Sequence, residues 1–167
     1  MSEQFELKRI SPDNIARALE KADRYRLLNE PEEAESICRD VLAVEPENQR
    51  ALVIIVLSMA DQFANSHTGP NRKELRAFLS GLTDAYQSAY YKGICSEREA
   101  RAMLARGKAS AFAYDYFREA MHWYDQAQEL SQADDDDAIL RWNSCARTIM
   151  REKLRPRPDD ERELPGD

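Results

Sequence analysis

An all-α fold of about seven helices follows from three observations. Small and bulky residues recur three and four positions apart in segment after segment, the spacing that gathers them on one face of a helix. The 5 glycines and 7 prolines of this 167-residue chain sit mostly at the ends of those segments, without the regular intervals of an all-β fold. The one β-branched run, Leu52-Val-Ile-Ile-Val56, has no second strand candidate to pair with. The length suffices for a buried core. The chain therefore divides into a flexible N-terminal segment 1–10, a helical domain 11–154 and a disordered tail 155–167.

The first two helices interlock as a hairpin: Ala22 and Ala34 are small where Tyr25, Leu28, Ile37 and Val41 are large, so the helices can approach closely. Pro31 opens the second helix, its fixed φ suited to a first turn and its missing N–H not needed there. Glu32 and Glu33 follow at the positive end of the helix dipole. Pro46 and Asn48 start a third helix whose run 51–59 is apolar nearly all round, as befits a helix with neighbours on both sides; a buried strand is the competing reading of that run alone. Residues 65–71 read as a loop, and Asn71 with Glu74 forms a capping box for a helix through Tyr91. Gly93 ends that helix, and Ser96 with Glu99 caps the next, over 99–113. A further helix follows over 114–130. After the acidic run 134–137, the last helix carries Ile139, Trp142, Ala146 and Ile149 on one side, widened by Leu140, Cys145 and Met150. The tail has prolines and charges and almost nothing to bury.

The positions Ala22, Tyr25, Ala34, Cys38, Val41 and Pro46 reproduce the small, bulky and turn positions of one tetratricopeptide repeat, which this stretch resembles. Ala120, Tyr124 and Ala127 echo the second half of the unit, whereas Lys108, Ala111 and Gln132 depart from it. Any antiparallel helical hairpin is the plainer alternative. The resemblance implies a right-handed helical-hairpin solenoid that binds another protein's peptide or helix and has no chemistry or cofactor of its own. It further implies a concave groove lined by the first helix of each hairpin. The matching residues are Ala16, Leu19, Asp23 and Arg26, then Ala105, Arg106, Ala109 and Phe112, with Asn143 and Arg147 on the terminal helix. Leu19 and Asp23 stand where the family's carboxylate-binding subset has Lys and Asn, so recognition of a C-terminal carboxylate is not implied.

A net charge of −7 with dispersed Lys and Arg argues against a nucleic-acid surface. No apolar run approaches the ~20 residues of a membrane span, and Met1-Ser-Glu-Gln-Phe-Glu lacks a signal peptide's basic and apolar segments. A cytoplasmic protein is expected, its three separated cysteines acting as small buried hydrophobes. Cys38, Cys95, Cys145, His67 and His122 show no paired metal-ligand spacing, and the acidic run lacks the turn glycine and distal glutamate of a calcium loop. Phe112, Tyr114, Tyr116, Phe117, Trp123 and Tyr124, like Tyr86, Tyr90 and Tyr91, read as core rings whose hydroxyls leave room for a polar groove. Two other functions stay open: a small-molecule-binding or catalytic protein using those aromatics and His122, and a homodimer or larger self-assembly pairing through 53–57 or an exposed end of the stack.

Overall fold

Helices account for all the regular structure among the residues described by the computed structural model, which are 2–64, 70–107 and 110–158. A 3-10 turn at Pro12–Asn14, capped by Ser11, leads into α1 (Ile15–Leu27). There follow α2 (Pro31–Val44), α3 (Gln49–Asp61), α4 (Arg72–Ser80), α5 (Ala85–Ala105), α6 (Ser110–Leu130) and α7 (Asp137–Arg151). Residues 2–10 carry no helix or strand, and Ile10 is the first to pack on the core.

The local signals for the first helices act as their chemistry requires. Pro31 occupies the first turn of α2, and Asn48 Oδ1 accepts a hydrogen bond from the Ala51 N–H at 2.9 Å to cap α3. The run 51–59 is helical throughout, and eight residues of α3 are buried, because α1, α2, α4 and α5 all pack against it. The stretch 53–57 is consequently mostly buried: Ile54, Ile55 and Val56 lie in the core, while half-buried Val53 packs on the core around α1–α4 and half-buried Leu57 on the core around α5–α7. Ala22, Ala34, Cys38 and Val41 are fully buried, as are Ala120, Tyr124 and Ala127. Leu28 differs from its expected packing role, being 64% exposed past the end of α1.

Substituting Leu for Ala34 or Ala120 inserts three heavy atoms where neither alanine has any exposed surface. Each variant should lose about 1–3 kcal/mol through overpacking, read as a lower midpoint in chemical unfolding. Unchanged midpoints would mean that these junctions can dilate without cost.

The boundaries between α4 and α6 differ from the sequence reading. The helix expected from Asn71 to Tyr91 breaks after Ser80. Asp84 caps α5 by accepting from the Gln87 N–H at 2.9 Å, and Gln49 of α3 holds the intervening turn through the Gly81 carbonyl and the Thr83 N–H. Asn71 does accept from the Glu74 N–H at 3.1 Å, but the Glu74 carboxylate reaches Arg39 of α2 instead of closing a capping box. Gly93 lies inside α5, and α5 continues through Ser96 and Glu99 to Ala105. Gly107, at φ +65°, ends the turn after α5, which replaces the helix expected over 99–113.

Successive helices pack in chain order, with two additions: α1 also meets α3, and α3 meets α5 directly, the short α4 leaning on both. The core has two parts, one around α1–α4 and one around α5–α7. Tyr91 packs against both, and Leu154 is buried after α7. Arg157, three residues further on, also contacts α6. Arg157 lies over the Phe112 ring at 4.7 Å and donates from Nε to Asp115 at 2.8 Å, while residues 159–167 lie outside the described set.

Candidate functional site

The shortness of α4 leaves α5 partly uncovered between α4 and α6, and a cavity of about 350 Å³ occupies that gap. Its apolar floor and walls come from Leu75 and Leu79 of α4, Phe63 after α3, and Tyr116 and Trp123 of α6. Cations stand around it. The Arg72 guanidinium lies 4.9 Å from the Phe63 ring centroid and grips Glu99 with two hydrogen bonds of 3.1 and 2.8 Å. Lys92 Nζ sits 4.7 Å over Trp123, and exposed Arg76 and Glu119 complete the rim. The hydrogen bonds to Glu99 push the Arg72 guanidinium further up, so Arg72 stays protonated at any physiological pH.

Cys95 also lines the groove, but burial pushes its thiol up to about 12. The thiol, not the nucleophilic thiolate, is therefore present at neutral pH. Among the described residues no histidine lines the groove. Described His122 is exposed on α6, beside Gln126 at 2.9 Å, and His67 lies outside the described residues. Aromatic faces, a satisfied ion pair and rim charges of both signs can hold a ligand by stacking, cation–π contact and hydrogen bonding.

Under the other side of α5 lies a second cluster, centred on Glu97, which has no exposed surface. Its carboxylate accepts from Tyr124 Oη at 2.9 Å, from Arg101 Nε at 2.7 Å and from Arg141, with Cys145 Sγ at 3.5 Å. Arg101 goes on to Ser144 at 3.0 Å and Thr148 at 3.2 Å, so the cluster joins α5, α6 and α7. Burial alone would raise the Glu97 pKa. The Arg101 hydrogen bond and the Arg141 charge outweigh it and hold the carboxyl below the ordinary glutamate range. Burial, followed by the nearby Glu97 charge, raises both the Tyr124 phenol and the Cys145 thiol, the latter to about 12. A fixed carboxylate between two guanidiniums has no proton to exchange near neutral pH, and this cluster is a joint of the fold.

Among the described residues, none of those expected to line a binding groove lines the cavity. Leu19 is 3% exposed and belongs to the core around α1–α4. Asp23 pairs with Arg50 of α3 at 3.0 Å. Arg26 pairs at 2.8 Å with Asp61, whose other oxygen takes Arg98 of α5 at 2.8 Å. Charges read as recognition groups thus tie α1, α3 and α5 together. Arg106 donates to the Phe63 carbonyl, and Phe112 carries Arg157. Ala16, Ala105 and Arg147 are exposed, Asn143 is half-buried, and Ala109 lies outside the described residues.

The aromatic residues separate into core and site. Phe117 and Tyr124 are fully buried, and Tyr90 packs against Tyr86, Tyr91 and Tyr124. Tyr116 and Trp123 face the groove. The spacing Phe112, Tyr116, Glu119, Trp123 marks one helix face and was a legible signal for the α6 wall. Nothing local announced the α4 wall, because it depends on where α4 stops. The acidic run serves α7: Asp135 Oδ1 accepts from the Asp137 N–H at 2.9 Å. Among the described residues no three His, Cys, Asp or Glu side chains gather as a metal site, and no helix is long and apolar enough to cross a membrane.

Comparison with family models, with curated proteins and with solved structures found no match to this chain.

Proposed function

We propose that this chain is a non-catalytic adaptor, built as a right-handed solenoid of tetratricopeptide-like hairpins, that holds a segment of another protein in the α4–α5–α6 groove. The solenoid reading draws support from the ion pairs. Arg26–Asp61–Arg98 links α1, α3 and α5, while Arg39–Glu74 links α2 to α4, as two layers of alternate helices require. One observation carries the function: the groove presents Tyr116 and Trp123 faces beside rim cations, without a nucleophile–base pair among the described residues. That chemistry suits an extended segment carrying an apolar anchor flanked by carboxylates. It differs from the groove implied by the repeat family, two of whose positions here, Asp23 and Arg26, form ion pairs within the fold.

Affinity capture with the full chain, compared with Trp123→Ala and with Arg76→Glu, tests the reading. Both substitutions should reduce recovery of the same main partner at least tenfold. Circular dichroism should show unchanged helicity, because Arg76 is exposed and Trp123 lies at the groove wall. Undiminished capture by both folded variants would remove the groove as the binding site.

A further inference from the structure

We infer that the α4–α5–α6 groove takes residues 3–9 of a second copy of this chain, so that copies associate head to tail and an outside segment binds by competing for the same place. The inference rests on the reading of that groove as a protein-binding site and adds the identity of one occupant.

The segment itself is the first support. Residues 2–9 are exposed throughout and carry no helix or strand, and Phe5 and Leu7 are 77% and 86% exposed. In an extended chain alternate side chains share a face, so Glu3, Phe5, Leu7 and Arg9 form one row, with an acid and a base flanking two apolar groups. Phe5 and Leu7 then lie about 7 Å apart, and the row is about 20 Å long. Tyr116 and Trp123, the ring faces of the groove, lie about 10 Å apart along α6. The apolar pair therefore fits against the two rings while the charged ends of the row fall at the rim.

Charge complementarity is the second support. Among the described residues, neither Arg76 nor Lys92 makes an ion pair, and neither does Glu119 on the same rim. Glu3 and Glu6 match the two cations, and Lys8 and Arg9 match Glu119.

The place of the segment makes the contact intermolecular. Ile10 packs beside Ala18 and Tyr25 of α1 and Ile37 of α2, and these two helices pack on each other and on α3. The groove walls are α4, α5 and α6. With Phe5 and Leu7 exposed, the segment lies outside its own groove, which is left for another copy. Each copy carries one segment and one groove, so the contact joins two different surfaces and continues past a pair unless a ring closes.

Sedimentation velocity over a concentration series tests this. The full chain should gain mass with concentration. Phe5→Ala/Leu7→Ala should raise the concentration needed at least tenfold, and so should Trp123→Ala/Arg76→Glu, with helicity unchanged by circular dichroism in both. Mixed together, the first variant supplies an intact groove and the second an intact segment, and a 1:1 complex should form that neither forms alone. A synthetic peptide of residues 2–9, added to the Phe5→Ala/Leu7→Ala chain, should shift the Trp123 indole N–H in nuclear magnetic resonance and lose its hold in high salt; a Trp142→Phe variant assigns that signal. A full chain that stays monomeric at millimolar concentration, association retained by both variants, or an indole signal unmoved by the peptide would each overturn the inference. Sedimentation needs no outside protein, so it can fail while groove-dependent capture persists; self-association with no captured partner would overturn the adaptor reading alone.

Discussion

Glu97→Gln is expected to lower the stability of the protein by about 3 kcal/mol, a melting temperature lower by roughly 6–12 °C for a chain of this size. Glutamine preserves the shape of the side chain but removes the charge that faces Arg101 and Arg141, leaving two guanidiniums on the joint of α5, α6 and α7. The arginines are about one-third exposed, at 34% and 32%, so water recovers part of the loss. That places the effect near the lower end of what breaking a buried pair costs. A double variant, Glu97→Gln with Arg141→Gln, should regain part of the loss, since one unpaired cation is then removed. The pH dependence has a definite sign. The folded-state pKa of Glu97 is depressed, so its stabilisation is fully present above the unfolded value of about 4.3 and declines as pH falls through the folded value. The stabilities of the original chain and of Glu97→Gln should therefore converge in acid, measured by urea unfolding from pH 7 downward. Equal stabilities at pH 7 would show that the cluster contributes nothing net.

Gly93→Ala sets two effects of opposite sign against each other. Inside an exposed helix, alanine for glycine stabilises by about 1 kcal/mol. Here a Cβ would lie 2.6 Å from Tyr124 Cε1 and 2.8 Å from Cδ1, distances at which something must move. The Tyr124 ring is fully buried and its hydroxyl is held by Glu97 at 2.9 Å, so it cannot swing away without breaking that bond. Overpacking costs of about 1–3 kcal/mol, joined to the strain on a buried hydrogen bond, exceed the propensity gain. A net loss of about 1–3 kcal/mol is expected in denaturant unfolding, with the near-ultraviolet tyrosine signal altered. A stabilised variant would mean that α5 and α6 separate freely at this point.

These two sites show where sequence and structure part. The sequence by itself determined that the chain is helical. It also determined which side chains of α2 and α6 turn inward, because periodicity and capping act over four or five residues; Ala34, Cys38, Val41, Ala120, Tyr124 and Ala127 are all buried as their spacing requires. It did not determine the meaning of Gly93. A glycine reads equally as a helix terminus or as room for a neighbour, and Tyr124, 31 positions further on, decides for the second. Nor could spacing show that Glu97 is buried. With Arg101 four residues away it looks like an ordinary surface pair, until Arg141 arrives from α7 and the carboxylate is enclosed. Arg26 read as a recognition charge for the same reason: its partner, Asp61, lies 35 residues away. The groove itself is a product of tertiary structure. It exists because α4 ends at Ser80, held there by Gln49 and Asp84, and so leaves part of α5 uncovered facing Tyr116 and Trp123. Local periodicity can assign a face to a helix, but the length of a neighbouring helix and the long-range partner of a charge are settled only when distant segments pack.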